Sequence, residues 1–328
     1  MAYKIDPKEV RLFSGRSNPQ LAQSIADFLG LPLEKTHFSR FSNDNLFVQL
    51  GASVRGRSVY IVQSLTPPVS DHVLELLMMI DIAQSAGAKE IHAIIPYFSY
   101  ARSDKKDAPR ISITARLIAD LLQTAGATHV MTMTLHSPQV HGFFSIPADP
   151  LTARVLFGDY LAEKNLDPKE TVVISPDMGR ATSAARFAEQ MGLPVAAAAK
   201  TRLSDSEVKI GGLIKRQVKG FKHAIVYDDE IATGGTVVEI SKELVKAGIE
   251  KITLICTHGL FLGNAIDRIE ELSEIVEVIT TDTVPPLSDK PFSKLTRLSV
   301  GPVFGGAIEH NYMRRSIGEL FEHGVKDH

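Results

Sequence analysis

Cysteine is almost missing from this sequence: Cys256 is the single one in 328 residues, and it lies within an apolar, strand-like run. A lone thiol excludes intrachain disulfides and fits a reducing compartment. An excess of one charge is missing too. The formal net charge is −2 at pH 7, so no chain-wide field attracts nucleic acid or membrane, and any anion must be held by locally placed groups. No apolar run reaches membrane-spanning length. Met1–Val10 carry charges and no apolar core segment, so no signal peptide is expected. These absences lead to the expectation of a cytoplasmic protein without nucleic-acid or membrane partners. The chain is 44% hydrophobic and 23% charged, enough for sizeable cores, and its length suits two ordinary domains.

The most informative stretch runs Val226-Tyr227-Asp228-Asp229-Glu230-Ile231-Ala232-Thr233-Gly234-Gly235-Thr236-Val237. Ala224–Tyr227 read as a buried strand, and Val237–Ala247 as a helix. A loop entering a helix N-terminus offers free backbone N–H groups and a positive dipole end, which suits an anion. Gly234 and Gly235 let the backbone approach a phosphate, and Thr233 and Thr236 add hydroxyl donors. Asp228 and Asp229 would repel that phosphate, so they face sugar hydroxyls or a divalent cation. A sugar phosphate satisfies both halves of the motif; the plainer alternative is a solvated acidic turn before a Gly-rich cap. No lysine follows the glycines, so this is not a Walker A loop. Residues 51–58 spell G-x-x-x-x-G-R-S, but Arg57 replaces the lysine and the stretch precedes a strand, so it is rejected as a phosphate loop.

Strand and helix patterns alternate along the rest of the chain. Ser17-Asn18-Pro19 offers a cap for a helix over Gln20–Leu29, and Leu74–Ala86 is helical in pattern. Three junctions, at Gly87, Gly126 and Gly248, share one design: a glycine suited to the left-handed position after a helix, a short polar link, then an apolar strand. Those strands are Ile91–Ile95, Val130–Met133 and Ile252–Cys256, with further ones at Val172–Ile174, Val195–Ala198 and Val278–Thr280. The alternation predicts an α/β fold of two doubly wound domains, 1–150 and 151–328, each a mainly parallel sheet flanked by helices. The halves meet near Ile146–Leu151, and the C-terminal segment packs on either one. In such sheets ligands gather beyond the C-terminal strand ends. The polar loops at Tyr97–Arg110, Thr134–Phe144, Ser175–Arg180, Lys200–Glu207 and Asp228–Thr236 all fall there.

The order of hydrophobic strand, Asp-Asp and Thr-Gly-Gly-Thr resembles the ribose-5-phosphate loop of phosphoribosyltransferases and of ribose-phosphate diphosphokinases. Three further blocks make the resemblance to the diphosphokinases specific: Pro96-Tyr97-Phe98-Ser99-Tyr100-Ala101-Arg102-Ser103-Asp104, Leu135-His136-Ser137-Pro138-Gln139-Val140-His141-Gly142-Phe143-Phe144, and Ser175-Pro176-Asp177-Met178-Gly179. Ser316-Ile317-Gly318-Glu319-Leu320-Phe321 is similar to the family's ending, so the similarity runs from Leu12 to His323. The resemblance implies two domains of phosphoribosyltransferase type. It also implies magnesium-dependent transfer of the β,γ-diphosphoryl group of ATP to the C1 hydroxyl of ribose 5-phosphate, giving AMP and phosphoribosyl pyrophosphate (PRPP), within nucleotide biosynthesis.

By matching motif, the resemblance implies ribose-5-phosphate contacts from Asp228, Asp229, Thr233, Gly234, Gly235 and Thr236. Lys200 and Arg202 match a basic pair on a mobile catalytic loop, which would stabilise charge developing at the β-phosphate; on chemistry alone they are solvated surface charges. His136 and Asp177 match magnesium-associated residues. Histidine is an unusual magnesium ligand, so beside its place at the metal His136 would act chiefly by hydrogen bonding to phosphate or metal-bound water; on chemistry alone it is a capping or core histidine. Arg102, Ser103, Asp104 and His136 match nucleotide contacts. Phe41, Asn43 and Asn45 fall in the segment that, in the family's hexamer, reaches adenine across a subunit boundary, so a homo-oligomer is implied. The sequence departs from the family pattern in places. Asn45 replaces a usual glutamate, Ser103 a glutamine, Thr134 an aspartate and Arg180 a second glycine. Thr201 interrupts a Lys-Arg-Arg run, and Ala232 replaces a commonly acidic residue. Two other readings share the acid-pair loop: a non-catalytic regulatory paralogue, and a phosphoribosyltransferase that consumes PRPP.

Overall fold

The computed structural model describes residues 5–198, 200–202, 208–210 and 213–320, with backbone alone for 200–202, 208–210, 213 and 319. The chain divides into two compact units. One comprises Met1–Thr152, Thr283–Pro285 and Ser299–His328; the other comprises Ala153–Asp282 and Pro286–Leu298.

The N-terminal unit is built on β1 (Val10–Ser14), α1 (Pro19–Leu29), β2 (Leu33–Glu34), a ribbon of β3 (Thr36–Arg40) and β4 (Leu46–Leu50), β5 (Ser58–Val62), α2 (Val69–Ser85), β6 (Glu90–Ile95), α3 (Thr114–Ala125), β7 (His129–Met133) and β8 (Ala148–Leu151). The sheet order is β2-β1-β5-β6-β7-β8, all parallel. Phe13, Ile61, Ala93 and Val130 are completely buried on adjacent strands, as near-continuous apolar runs must be when helices cover a parallel sheet. Within residues 146–151, read from sequence as the place where the halves meet, Ala148–Leu151 form the edge strand β8; Pro150 is tolerated there because an edge leaves one row of hydrogen-bonding groups unused. The helix expected over Leu74–Ala86 begins earlier, at Val69, and ends at Ser85. Asn18 caps α1 as anticipated, its Oδ1 accepting the Leu21 N–H at 3.4 Å.

The second unit repeats the same winding with α4 (Arg154–Ala162), β9 (Thr171–Ser175), α5 (Ala181–Met191), β10 (Val195–Ala197), a ribbon of β11 (Lys200–Arg202) and β12 (Val208–Ile210), α6 (Leu213–Gln217), β13 (His223–Ile231), α7 (Gly235–Lys246), β14 (Lys251–Gly259), α8 (Ala265–Glu270), β15 (Ile275–Thr281) and β16 (Leu295–Leu298). Its sheet order is β10-β9-β13-β14-β15-β16. In both units the second strand lies outside the first, an antiparallel ribbon follows it, and the remaining four strands are added in sequence order. Val172, Val226, Leu254 and Val278 carry the core between this sheet and its helices.

After β16 comes α9 (Gly301–Tyr312), which belongs to the first unit and packs on α1. A Cβ at Gly301 would stand 2.1 Å from the Ser24 hydroxyl, and one at Gly305 2.3 Å from the Phe28 ring. The two helices approach this closely because those positions have no side chain. The junction glycines Gly87, Gly126 and Gly248 have φ of 78°, 114° and 98°, the left-handed geometry that their sequence context called for.

Candidate active site

The acid pair sits differently from its sequence reading. The strand does not end at Tyr227; β13 runs on to Ile231, with Asp228 opposite Cys256 and Glu230 opposite His258 on β14. Both carboxylates therefore lie among the last residues of a strand rather than in a loop. The sequence suggested an earlier end because charged residues are rare in buried strands, whereas here Asp229 is buried with an ion-pair partner. The helix likewise starts at Gly235 rather than Val237 and ends at Lys246, leaving three residues, 232–234, as the connection.

Side chains alternate across a strand, so Tyr227 and Asp229 share a face. Tyr227 stacks on Phe187 of α5 at 4.5 Å between centroids, with Phe157 of α4 edge-on at 6.3 Å. This packing anchors the strand end that carries the pair. Asp228 Oδ1 accepts the Asp229 N–H at 2.8 Å. Burial raises the Asp228 carboxyl well above the usual carboxylate range, and the adjacent Asp229 charge adds to the shift, while Arg180 opposes it.

The connection is braced from below. Ile231 O accepts the N–H groups of Leu260 and Phe261, and Ala232 O accepts that of Leu262 at 2.7 Å. Gly234 caps α7 with φ of 71°, a conformation that side-chain-bearing residues rarely adopt, and as a glycine it brings no side chain to the helix start. The first turn of α7 thus opens at a glycine-lined connection, and Thr233 and Thr236 flank it in sequence. This suits a phosphate held by backbone N–H groups.

On the neighbouring strand, β9 ends at Ser175, and its hydroxyl donates to Asp177 O at 2.7 Å. Asp177 caps the turn that follows, with Oδ1 accepting the Arg180 N–H at 2.9 Å. The Arg180 guanidinium donates to Asp229 Oδ2, and both side chains are buried, 11% and 4% exposed respectively. The structure thus gathers Asp177, Asp228, Asp229 and residues 233–236 at the C-terminal ends of paired strands β9 and β13. Arg180 was noticed in the sequence only as a departure from a glycine, and its pairing is the feature that sequence reading missed. One signal pointed to it: it lies three residues after Asp177, at the same sheet end as the acid pair.

Lys200 and Arg202 lie on β11, opposite Ile210 and Val208 of β12. Their side chains, and the polar run Ser204–Glu207, lie outside the described residues.

In the N-terminal unit, the segments after β6 and β7 hold Arg102, Ser103, Asp104 and His136 at the C-terminal ends of adjacent strands. Arg102 is exposed at the end of a short turn, Ser99–Arg102, and Asp104 is partly exposed. Ser103 is committed to the fold: its Oγ accepts the Thr114 N–H at 3.2 Å at the start of α3 and donates to Ser112 O at 3.3 Å. A serine there ties down the 103–114 segment. His136 is partly exposed, two residues beyond Thr134, whose φ is 43°. Phe41, Asn43 and Asn45 form the exposed tip of the β3–β4 ribbon. Phe41 N donates to Asn45 O at 2.9 Å, and the Phe41 ring, 56% exposed, stands edge-on to Phe47. Among the described residues, no group of three His, Cys, Asp or Glu side chains is placed to hold a metal alone.

Comparisons with known proteins agree with this architecture. Residues 10–126 match the family model of the N-terminal domain of ribose phosphate pyrophosphokinase, and residues 213–322 match that of the phosphoribosyl synthetase-associated domain. A ribose-phosphate pyrophosphokinase of Deinococcus radiodurans is 45% identical over 94% of this chain and 97% of its own length. The Bacillus subtilis enzyme of that name is 38% identical over 98% of this chain and 100% of its own. The crystal structure of phosphoribosylpyrophosphate synthetase from Mycobacterium smegmatis superposes with a TM-score of 0.86 at 37% identity, covering 93% of this chain and 99% of that one. Two matched domains and end-to-end identity well above 30% place this chain in the ribose-phosphate pyrophosphokinase family.

Proposed function

We infer that this chain is a ribose-phosphate diphosphokinase, which makes PRPP and AMP from ATP and ribose 5-phosphate. The C1 oxygen of the sugar bonds to the β-phosphorus, and the bond from that phosphorus to the oxygen bridging to the α-phosphate breaks. AMP leaves and the hydroxyl proton is released. The observation that carries the reading is the β13–α7 connection, where a paired acid strand end meets a glycine-capped helix start. Backbone N–H groups of residues 234–236 would hold the 5-phosphate, with Thr233 and Thr236 as hydroxyl donors. Asp228 and Asp229 would hold the ribose hydroxyls.

Such a transfer needs positioning and charge neutralisation more than covalent help. Lys200 and Arg202 supply cations to the β-phosphate, where negative charge grows in the transition state. Arg102, Ser103, Asp104 and His136 contact the nucleotide. Phe41, Asn43 and Asn45, at an exposed ribbon tip, complete the adenine contact in a homo-oligomer, expected to be a hexamer. Magnesium, bound with the nucleotide, neutralises triphosphate charge. It commonly takes only one or two protein carboxylates beside water and phosphate oxygens. Asp177 fits that role, with one oxygen accepting the Arg180 N–H and a partly exposed carboxylate, while His136 suits hydrogen bonding to phosphate or metal-bound water.

Retention of Lys200, Arg202 and the acid pair weighs against a non-catalytic paralogue, and the Arg102 and His136 blocks weigh against a phosphoribosyltransferase. The test is AMP formation from ATP and ribose 5-phosphate with magnesium. The wild-type chain forms AMP, and Lys200→Ala lowers kcat by about 100-fold or more. No AMP across varied metals, nucleotides and inorganic phosphate would refute the reading, and pyrophosphate release from PRPP with a nucleobase would replace it.

A further inference from the structure

We propose that Arg180 is a positioning residue for sugar recognition: by clamping Asp229 it presents the acid pair to a vicinal diol, and so sets the preference for ribose 5-phosphate over 2-deoxyribose 5-phosphate. The inference deepens the reading of the β13–α7 connection as the sugar-phosphate site and rests on it. A single residue ties together three things. Its backbone N–H closes the Asp177 turn, its guanidinium holds Asp229 Oδ2, and its own side chain is buried just beyond the end of β9, beside the last residues of β13. The Asp229 backbone N–H in turn donates to Asp228 Oδ1, so the residue whose side chain Arg180 holds also fixes the Asp228 carboxylate.

Geometry and charge both require such a clamp. Two adjacent carboxylates at a strand end repel each other, and burial disfavours ionising both. A guanidinium fixed against one of them offsets a unit of that charge and selects one rotamer, because its planar fork is directional where an ammonium is a point charge. A diol needs two oxygens at a defined spacing, so it is sensitive to that rotamer. A substrate lacking the 2-hydroxyl cannot use both acceptors. It gains less from the clamp and loses less without it.

The experiment compares KM and kcat for ribose 5-phosphate and 2-deoxyribose 5-phosphate in the wild type, Arg180→Gln, Arg180→Lys, Asp229→Asn and the double variant. Arg180→Gln is expected to raise KM for ribose 5-phosphate about tenfold with kcat within about threefold, and to change KM for the deoxy sugar little. Arg180→Lys, which retains the charge, recovers part of the preference. Asp229→Asn loses the same preference, and adding Arg180→Gln to it costs nothing further, as expected for two groups acting through one contact. Equal rises in KM for both sugars, additive effects, or no change in Arg180→Gln while Asp229→Asn loses the preference would each overturn this role for Arg180 and leave the sugar-phosphate site intact. Should Asp228→Asn and Asp229→Asn both leave ribose 5-phosphate binding unaltered by calorimetry, the site assignment itself fails. If Arg180→Gln does not fold, the Arg180→Lys and Asp229→Asn measurements still decide between these outcomes.

Discussion

The two units wind their strands in the same order, yet the connection after the third strand of each has been put to opposite use. In the N-terminal unit that connection, after β5, is Gln63-Ser64-Leu65-Thr66-Pro67-Pro68, and it is sealed. Gln63 is fully buried; its Oε1 accepts from Ser17 N and Oγ at 3.1 and 2.7 Å, and its Nε2 donates to Glu75 Oε2 at 3.0 Å and His72 O at 3.1 Å. Glu75, on α2 and fully buried, also accepts from Arg16 Nε at 2.6 Å. Two prolines stand where a phosphate loop needs N–H donors, and proline has none. In the C-terminal unit the corresponding connection runs from a strand end with two carboxylates to a helix start at Gly234-Gly235, and its N-cap glycine leaves room at the backbone N–H groups. Each unit therefore has an arginine from the loop after its first strand paired with a buried acid. One pair closes a polar knot, and the other stands beside a carboxylate held in an unfavourable place. The lesson is that a repeated fold does not repeat a site.

Breaking the two acids should separate these roles. Asp228→Asn is expected to lower kcat/KM for ribose 5-phosphate by about 100-fold, while thermal stability holds or rises. The sign follows from the raised Asp228 carboxyl. A group whose folded pKa lies above its unfolded value stabilises the fold when protonated, and that contribution is lost as pH rises past the unfolded value through the folded one. Above the pH at which the unfolded chain ionises, the buried Asp228 carboxyl is thus a cost that asparagine removes. Glu75→Ala should do the reverse. It leaves Gln63 and Arg16 without their shared acceptor. Arg16 is 43% exposed and can turn to solvent, so the loss is expected near the low end for a broken buried pair, about 2–3 kcal/mol, read by chemical denaturation. Turnover per folded molecule should be unchanged. Equal loss of stability in both variants would dissolve the contrast.

Much of this was legible beforehand, and the remainder has identifiable physical causes. Alternating apolar strands and helices, with glycines at three junctions, gave the doubly wound class because parallel sheets and left-handed helix ends have strong local signatures. The acid-pair loop could be read because strand, carboxylates and glycines follow one another within a dozen residues. What was not legible depends on partners remote in sequence. The extension of β13 to Ile231 relies on pairing with β14 and on Arg180 neutralising Asp229 across 49 positions. β8 forms only because β7 offers an edge to its proline-containing segment, and the placement of α9 against α1 depends on missing side chains at Gly301 and Gly305. Ser103 read as a nucleotide contact because its neighbours matched that segment, and the structure adds a second role for it. Its hydrogen bonds at the start of α3 belong to the folded loop and have no counterpart in a linear pattern.

A second contrast lies toward the opposite ends of the strands, where both sheets carry histidines withdrawn from solvent to different degrees. His92 on β6 is 4% exposed, its ring stacked on Tyr60 at 4.3 Å and its Nδ1 3.0 Å from that of His129, which contacts Asp149 at 2.7 Å. Burial, reinforced by His129, pushes His92 down to about 3. His223 on β13 is more open, with Nε2 2.9 Å from the Thr253 hydroxyl, and burial pushes it down to about 4. Both therefore stay neutral in the fold while an unfolded chain takes up protons near pH 6.5. Stability should be full above that value and fall as pH drops from about 6.5 toward each folded value, by at most about 1.4 kcal/mol per pH unit for His92. Denaturation midpoints measured from pH 7.5 to 4.5 should flatten clearly in His92→Gln and only slightly in His223→Gln, whose greater solvent access weakens the penalty. A flatter curve in His223→Gln than in His92→Gln would mean that the acid sensitivity of the fold resides in the C-terminal sheet, the one that carries the sugar-phosphate connection.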